Sequence, residues 1–140
     1  MTVFKNACFL LVLITIFTNT SHAEVAVVVN KSNTSELSES QIKNMFLGKL
    51  GQFSDGTEAM PVLFEASEAT RVEFDDTVLK RKTSQIDALW SKLIFTGRRT
   101  PPVQVKDATA VLKEVSMNPK AIGYINSKDV TDSVRVVATY

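Results

Sequence analysis

Val25 to Val29 (VAVVV) is an unbroken apolar run in which four of the five residues are β-branched. Such a run has no polar face to turn toward water, so it predicts a strand buried on both sides. A strand of that kind needs a covering layer above and below it, which restricts the chain to layered folds. The covering elements are legible further on. Ser38 and Gln41 form a capping-box pair that opens a short helix, with Ile42, Met45 and Phe46 on one face and Gly48 at its end. Asp55-Gly56 marks a tight reversal, and Met60 to Phe64 (MPVLF) reads as a second strand with Pro61 near its start.

Beyond it, Ser67 is placed to cap a helix running to about Lys80, and Ser84 with Asp87 to open another. In the latter, Ile86, Leu89, Trp90, Leu93 and Ile94 recur at helical spacing, and Thr96-Gly97 closes it. Trp90 falls inside this stripe and is expected in the core. Pro101-Pro102 forces an extended lead into Val103–Val105, a short strand or connector. Asp107 caps a helix with Ala108, Val111, Leu112 and Val115 on one face, stopped by Asn118-Pro119. Ala121–Ile125 and Val134–Ala138 are the remaining strands. Strands alternating with helices predict a single α/β layered domain, a mixed or mostly parallel sheet flanked by helices. No linker, low-complexity tract or internal repeat divides it.

The segment before this domain has the form of an export signal. Lys5 is followed by the ten-residue apolar run Cys8 to Phe17, then by polar Thr18 to Ala23 ending in Ser-His-Ala. The run falls short of the roughly 20 apolar residues that span a bilayer. The expected division is therefore a signal peptide over 1–23 and a mature domain over 24–140, periplasmic or secreted, with no transmembrane segment. Cleavage after Ala23 would leave 117 of the 140 residues and remove both Cys8 and His22, the chain's one cysteine and one histidine.

A mature chain without Cys or His has no thiol nucleophile, no Ser–His pair and no imidazole- or thiolate-rich metal site. No catalytic residues, metal or cofactor are expected, and no spacing singles out a carboxylate pair. Loss of Lys5 leaves 15 of the 16 basic residues against 15 acidic ones. That balance lacks the basic stripe of a nucleic-acid binder, so no nucleic-acid partner is expected. Lys80-Arg81-Lys82 reads as a solvated cluster. Asp75-Asp76, with Glu73 nearby, reads as a solvated acidic face, because adjacent helical residues diverge by about 100°.

Four segments in order carry a resemblance: VAVVVNKSN (Val25–Asn33), LSESQIKNMFLGK (Leu37–Lys49), LWSKLIFTGRRTPP (Leu89–Pro102) and NPKAIGYI (Asn118–Ile125). Together they resemble the periplasmic phosphate-binding proteins of ABC importers, and especially short single-lobe members of that superfamily. The resemblance implies one lobe, the second, of a type II periplasmic binding protein that clasps an anion between two lobes. The missing wall would come from a second copy or a membrane receptor. In that family an Arg precedes a Gly-Ser-Gly-Thr run that opens a helix and holds phosphate at its N-terminus.

The matching stretch here is Phe64 to Arg71 (FEASEATR). Thr70 keeps its type, Phe64 stands in the place of the Arg, and Ser67-Glu68-Ala69 replace Gly-Ser-Gly. The resemblance therefore puts forward Ser67, Thr70 and Arg71 as contacts to a phosphate-like anion. Read from the residues alone, Ser67 caps the helix, Glu68 complements its dipole, and Arg71 pairs with Asp75 at i+4. Arg98 and Arg99 have two readings as well: anion or partner contacts in a loop stiffened by Pro101-Pro102, or cations offsetting the C-terminal end of the preceding helix. Functionally, the chain reads as a non-catalytic solute-binding protein in uptake or sensing. The altered glycine loop leaves a second reading open, an envelope protein for adhesion or secretion that keeps the fold without a small-molecule site.

Overall fold

The computed structural model describes residues 23–140; the expected signal segment, with Lys5, Cys8 and His22, lies outside them. The elements run β1 (Val25–Asn30), α1 (Glu39–Phe46), β2 (Met60–Phe64), α2 (Ala69–Thr77), α3 (Thr83–Phe95), β3 (Val103–Val105), α4 (Ala108–Met117), β4 (Ala121–Asn126), a 3-10 turn (Ser127–Asp129) and β5 (Val134–Thr139). The strands form one sheet in the order β3-β2-β4-β1-β5. β2 lies parallel to both β3 and β4, whereas β1 is antiparallel to β4 and β5, so the sheet is mixed. All six residues of β1 are buried, as its composition requires.

The two faces of the sheet are covered differently, and consecutive residues of β4 show how. A side chain at Gly123 would meet Val111 Cγ1 at 2.9 Å and Val115 Cγ2 at 3.3 Å, so α4 lies directly on that face. Its neighbour Tyr124 points the opposite way, as strand alternation demands. There it stacks on Phe74 of α2 with centroids 3.9 Å apart, and Phe46 of α1 meets it edge-on at 5.5 Å. Trp90 of α3 joins this second layer through Nε1, which donates to the Phe46 carbonyl at 2.9 Å. Gly123→Val is expected to lower stability by about 1–3 kcal/mol through overpacking against α4, read as a lower urea midpoint with an unchanged slope.

Most helix ends are set by the residues that the sequence marks for them. Ser38 Oγ accepts from Gln41 N and Gln41 Oε1 accepts from Ser38 N, completing the capping box of α1. Asp107 accepts from Ala110 N at the start of α4, and Asn30 Nδ2 donates to the carbonyls of Val115 and Ser116 at its other end. Gly48 and Gly97 take φ of 70° and 69° just beyond α1 and α3.

Two starts differ from expectation. α2 begins one residue later than a Ser67 cap would give; Glu68 is the N-cap and makes no side-chain capping bond. α3 begins before Ser84, with Gln85 Oε1 accepting from Lys82 N. Asp87, expected to help open that helix, is drawn instead into an ion pair described below. α2 also stops at Thr77, short of Lys80, which adopts a left-handed φ of 55°.

Candidate functional site

β2, β3 and β4 run parallel, so their C-terminal ends open on one edge of the sheet. The chain leaving β2 turns at Glu65–Glu68, where Glu68 N donates to the Glu65 carbonyl at 3.0 Å, and enters α2. The chain leaving β3 passes through Lys106 and the cap Asp107 into α4. α2 and α4 lie on opposite faces, through Phe74 on Tyr124 and Val111 on Gly123. In the order β3-β2-β4 the strand sequence reverses at β2, so the C-terminal end of β2 lies at a topological switch point. In open α/β sheets, ligands bind in the crevice outside the strand ends at such a point.

Ser67 is exposed and Thr70 half-buried at this edge. The first turn of α2 carries no side-chain cap, leaving its N–H donors and the positive end of the helix dipole facing outward. Lys106, which sequence reading did not single out, is exposed on the opposing loop. The hydrogen bond from Glu65 N to the Val105 carbonyl, 2.9 Å, holds the two loops side by side. A lysine between a short strand and an Asp N-cap is a weak signal by itself. It becomes meaningful only once β3 is known to pair with β2. Glu65, Glu68 and Asp107 share the edge and oppose any anion there.

Arg71 is not at the edge at all. Its side chain is fully buried, and its donors are committed inward: Nε to Asp75 Oδ2 at 2.6 Å, one terminal nitrogen to the Phe64 carbonyl at 2.9 Å, the other to Asp87 Oδ1 at 2.7 Å. The assignment of Arg71 as an anion contact is therefore corrected, and the pairing with Asp75 at i+4 is the arrangement present. The expectation of a solvated Asp75-Asp76 face is corrected too: Asp76 is exposed, but Asp75 is buried at 1% exposure. The reason is geometric. Residues 71 and 75 lie one turn apart on the inner face of α2, so the pair goes inside together.

Burial pushes the Asp75 carboxyl above its usual range despite the opposing pull of Arg71. Burial also works against the Arg71 charge, but Asp75, with help from Asp87, more than offsets it and holds the guanidinium above its ordinary value. Tyr124, enclosed beside the pair, is raised by burial and stays a neutral phenol.

Arg98 and Arg99 lie at the other end of the sheet, where β2 begins. Five strand residues separate the two ends, roughly 15 Å, so these arginines and Thr70 cannot grip one small anion. Arg99 Nε donates to the Gly48 carbonyl at 2.9 Å, with longer bonds to Arg98 and Lys49 carbonyls. It thus satisfies the C-terminal turn of α1, not that of α3, the helix before it. Arg98 is exposed on the rim of a cavity of about 460 Å³ walled by Met45, Met60, Trp90 and Ile94. Among the described residues, no cluster of three or more His, Cys, Asp or Glu is placed to hold a metal ion, and no helix is long and apolar enough to cross a membrane.

No protein-family model matches the chain, and no curated protein sequence matches it. Solved structures do. The fold is similar to an ABC-type phosphate transport receptor from Vibrio cholerae (TM-score 0.63, 22% identity), over 82% of this chain and 46% of that one. It is similar to a structure described as a phosphate ABC transporter substrate-binding protein with bound phosphate, from Clostridium perfringens (TM-score 0.65, 23% identity), over 82% and 45%. PstS from Borrelia burgdorferi matches at TM-score 0.60 and 14% identity, over 83% and 47%. The chain spans less than half the length of each. At these identities the likeness is one of fold, and the fold is that of a single lobe of a periplasmic-binding-protein-like molecule.

Proposed function

We propose that this chain is a non-catalytic, exported binding lobe that recognises a phosphate-like oxyanion at the switch-point edge of its sheet. Export would follow from removal of the segment 1–23. Two observations support the reading: Ser67, Thr70 and the uncapped first turn of α2 follow β2 while Lys106 follows the paired strand β3, and the fold is shared with phosphate-binding proteins. Helix N-termini favour anions through unpaired N–H donors and the dipole. Thr70 adds a hydroxyl donor, and Lys106 a positive charge.

Affinity is expected to be weak for two reasons. Glu65 and Glu68 oppose a bound anion by roughly 1 kcal/mol each at close range. A single lobe also leaves the ligand exposed on one side, so a second copy or a membrane receptor would supply the opposing wall. Isothermal titration of the 24–140 chain tests the reading. Saturable heat with phosphate in the millimolar range is expected, a binding free energy of about 4 kcal/mol. Thr70→Val and Lys106→Gln should each weaken it by about three- to tenfold. Absence of heat with both phosphate and sulfate at millimolar concentration would remove small-oxyanion binding.

A further inference from the structure

The C-terminal tip of α3 combines two features that a water-facing surface has no use for together. Phe95 is 93% exposed and its neighbour Ile94 37% exposed. Lys92 lies one turn before Phe95 on α3, Arg98 and Arg99 follow within four residues and share a cavity with Ile94, and Lys49 lies beside the two arginines on the turn after α1. No acidic residue occurs between Asp87 and Asp107. None of these four cations forms a salt bridge among the described residues. Arg99 donates to carbonyls and Arg98 is exposed. Glu58, the one acid lining the neighbouring cavity, is paired with Lys120 at 3.3 Å.

We infer that this tip docks on a bilayer surface carrying anionic headgroups, with the Phe95 ring at the acyl boundary and the cations of the same end of the molecule at the headgroup phosphates. An exposed aromatic ring at one helix tip together with Lys and Arg is the composition that interfacial binding selects, and the attraction grows with each cation. A second copy of the chain fits the patch less well, because like charges would face one another. A protein partner fits it less well in area: one ring offers on the order of 200 Å², far below the roughly 800 Å² per side of a stable protein interface. A bilayer needs no matching concavity. The tip is at the opposite end of the sheet from the loop 65–70, so docking would leave the proposed oxyanion edge free. The inference is independent of that reading and stands or falls separately.

Vesicle flotation with the 24–140 chain, which contains all five strands, tests it. Binding to vesicles of phosphatidylcholine with one third phosphatidylglycerol is expected at low salt, with none to phosphatidylcholine alone and a steep fall as salt is raised. Phe95→Ser should reduce partitioning about tenfold, and Arg98→Ala about fivefold. Phe95 is nearly free of neighbours, so its replacement leaves the core intact. Val72→Ser, at an exposed apolar residue of α2 away from the tip, should change nothing. Equal binding to neutral vesicles, no binding to either, or wild-type binding by Phe95→Ser would overturn the inference. So would capture of a soluble protein through Phe95 without any anionic-lipid binding.

Discussion

Arg71→Met is expected to destabilise the domain by about 3–5 kcal/mol, the range for removing one partner of a buried ion pair. The guanidinium ties three elements together: the last carbonyl of β2, Asp75 of α2 and Asp87 of α3. Without it, Asp75 remains buried at 1% exposure with its cation gone, and must take up a proton or drag water inward. Most of the loss comes from that stranded carboxylate and little from the pair itself. The double variant Arg71→Met/Asp75→Leu should therefore recover much of the stability lost. Urea unfolding of the two single variants and the double one measures this directly. A single variant within about 0.5 kcal/mol of wild type would show that the buried pair does not hold α2 against β2.

The second large effect concerns affinity. Converting Ser67-Glu68-Ala69 to Gly-Ser-Gly is expected to tighten phosphate binding by at least about fivefold, with no more than a small change in stability. Removing the Glu68 carboxylate relieves roughly 1 kcal/mol of like-charge repulsion, and the two glycines let the backbone approach the anion more closely. The fold tolerates the change because Ser67 and Ala69 are exposed and Glu68 makes no capping bond. Serine is a favoured N-cap residue, and in the unliganded protein it offsets part of the entropic cost of the glycines. Titration calorimetry beside wild type reads the change. An unaltered affinity would place the anion elsewhere.

Features set within a few residues were legible in the sequence. The all-apolar β1, the Ser38–Gln41 box, the Asp107 cap and the glycines after α1 and α3 depend on local periodicity and local hydrogen bonding. The α/β class followed from their alternation. What stayed hidden depends on partners far along the chain. Arg99 reaches back 51 residues to the Gly48 carbonyl, a partner that neither local reading of Arg98-Arg99 contains. Asp87 looked like part of a helix opening because its partner, Arg71, is 16 residues away.

The proposed site was legible in part for the same reason. Ser67 and Thr70 were put forward by the resemblance alone, and both lie on the chain that leaves β2 for α2. Arg71 could not be excluded from it without knowing which face of α2 turns inward. Lys106 could not be included without the β2–β3 pairing. Charge alone was a poor guide, since the most deeply placed cation is structural.

The most direct test of the account is a phosphate titration of the 15N-labelled 24–140 chain followed amide by amide. Progressive shifts are expected at Ser67 to Arg71 and at Lys106, beyond the C-terminal ends of β2 and β3, with Arg98 and Arg99 unmoved. Shifts confined to the Arg98–Arg99 end, or none at any residue up to tens of millimolar phosphate, would contradict it.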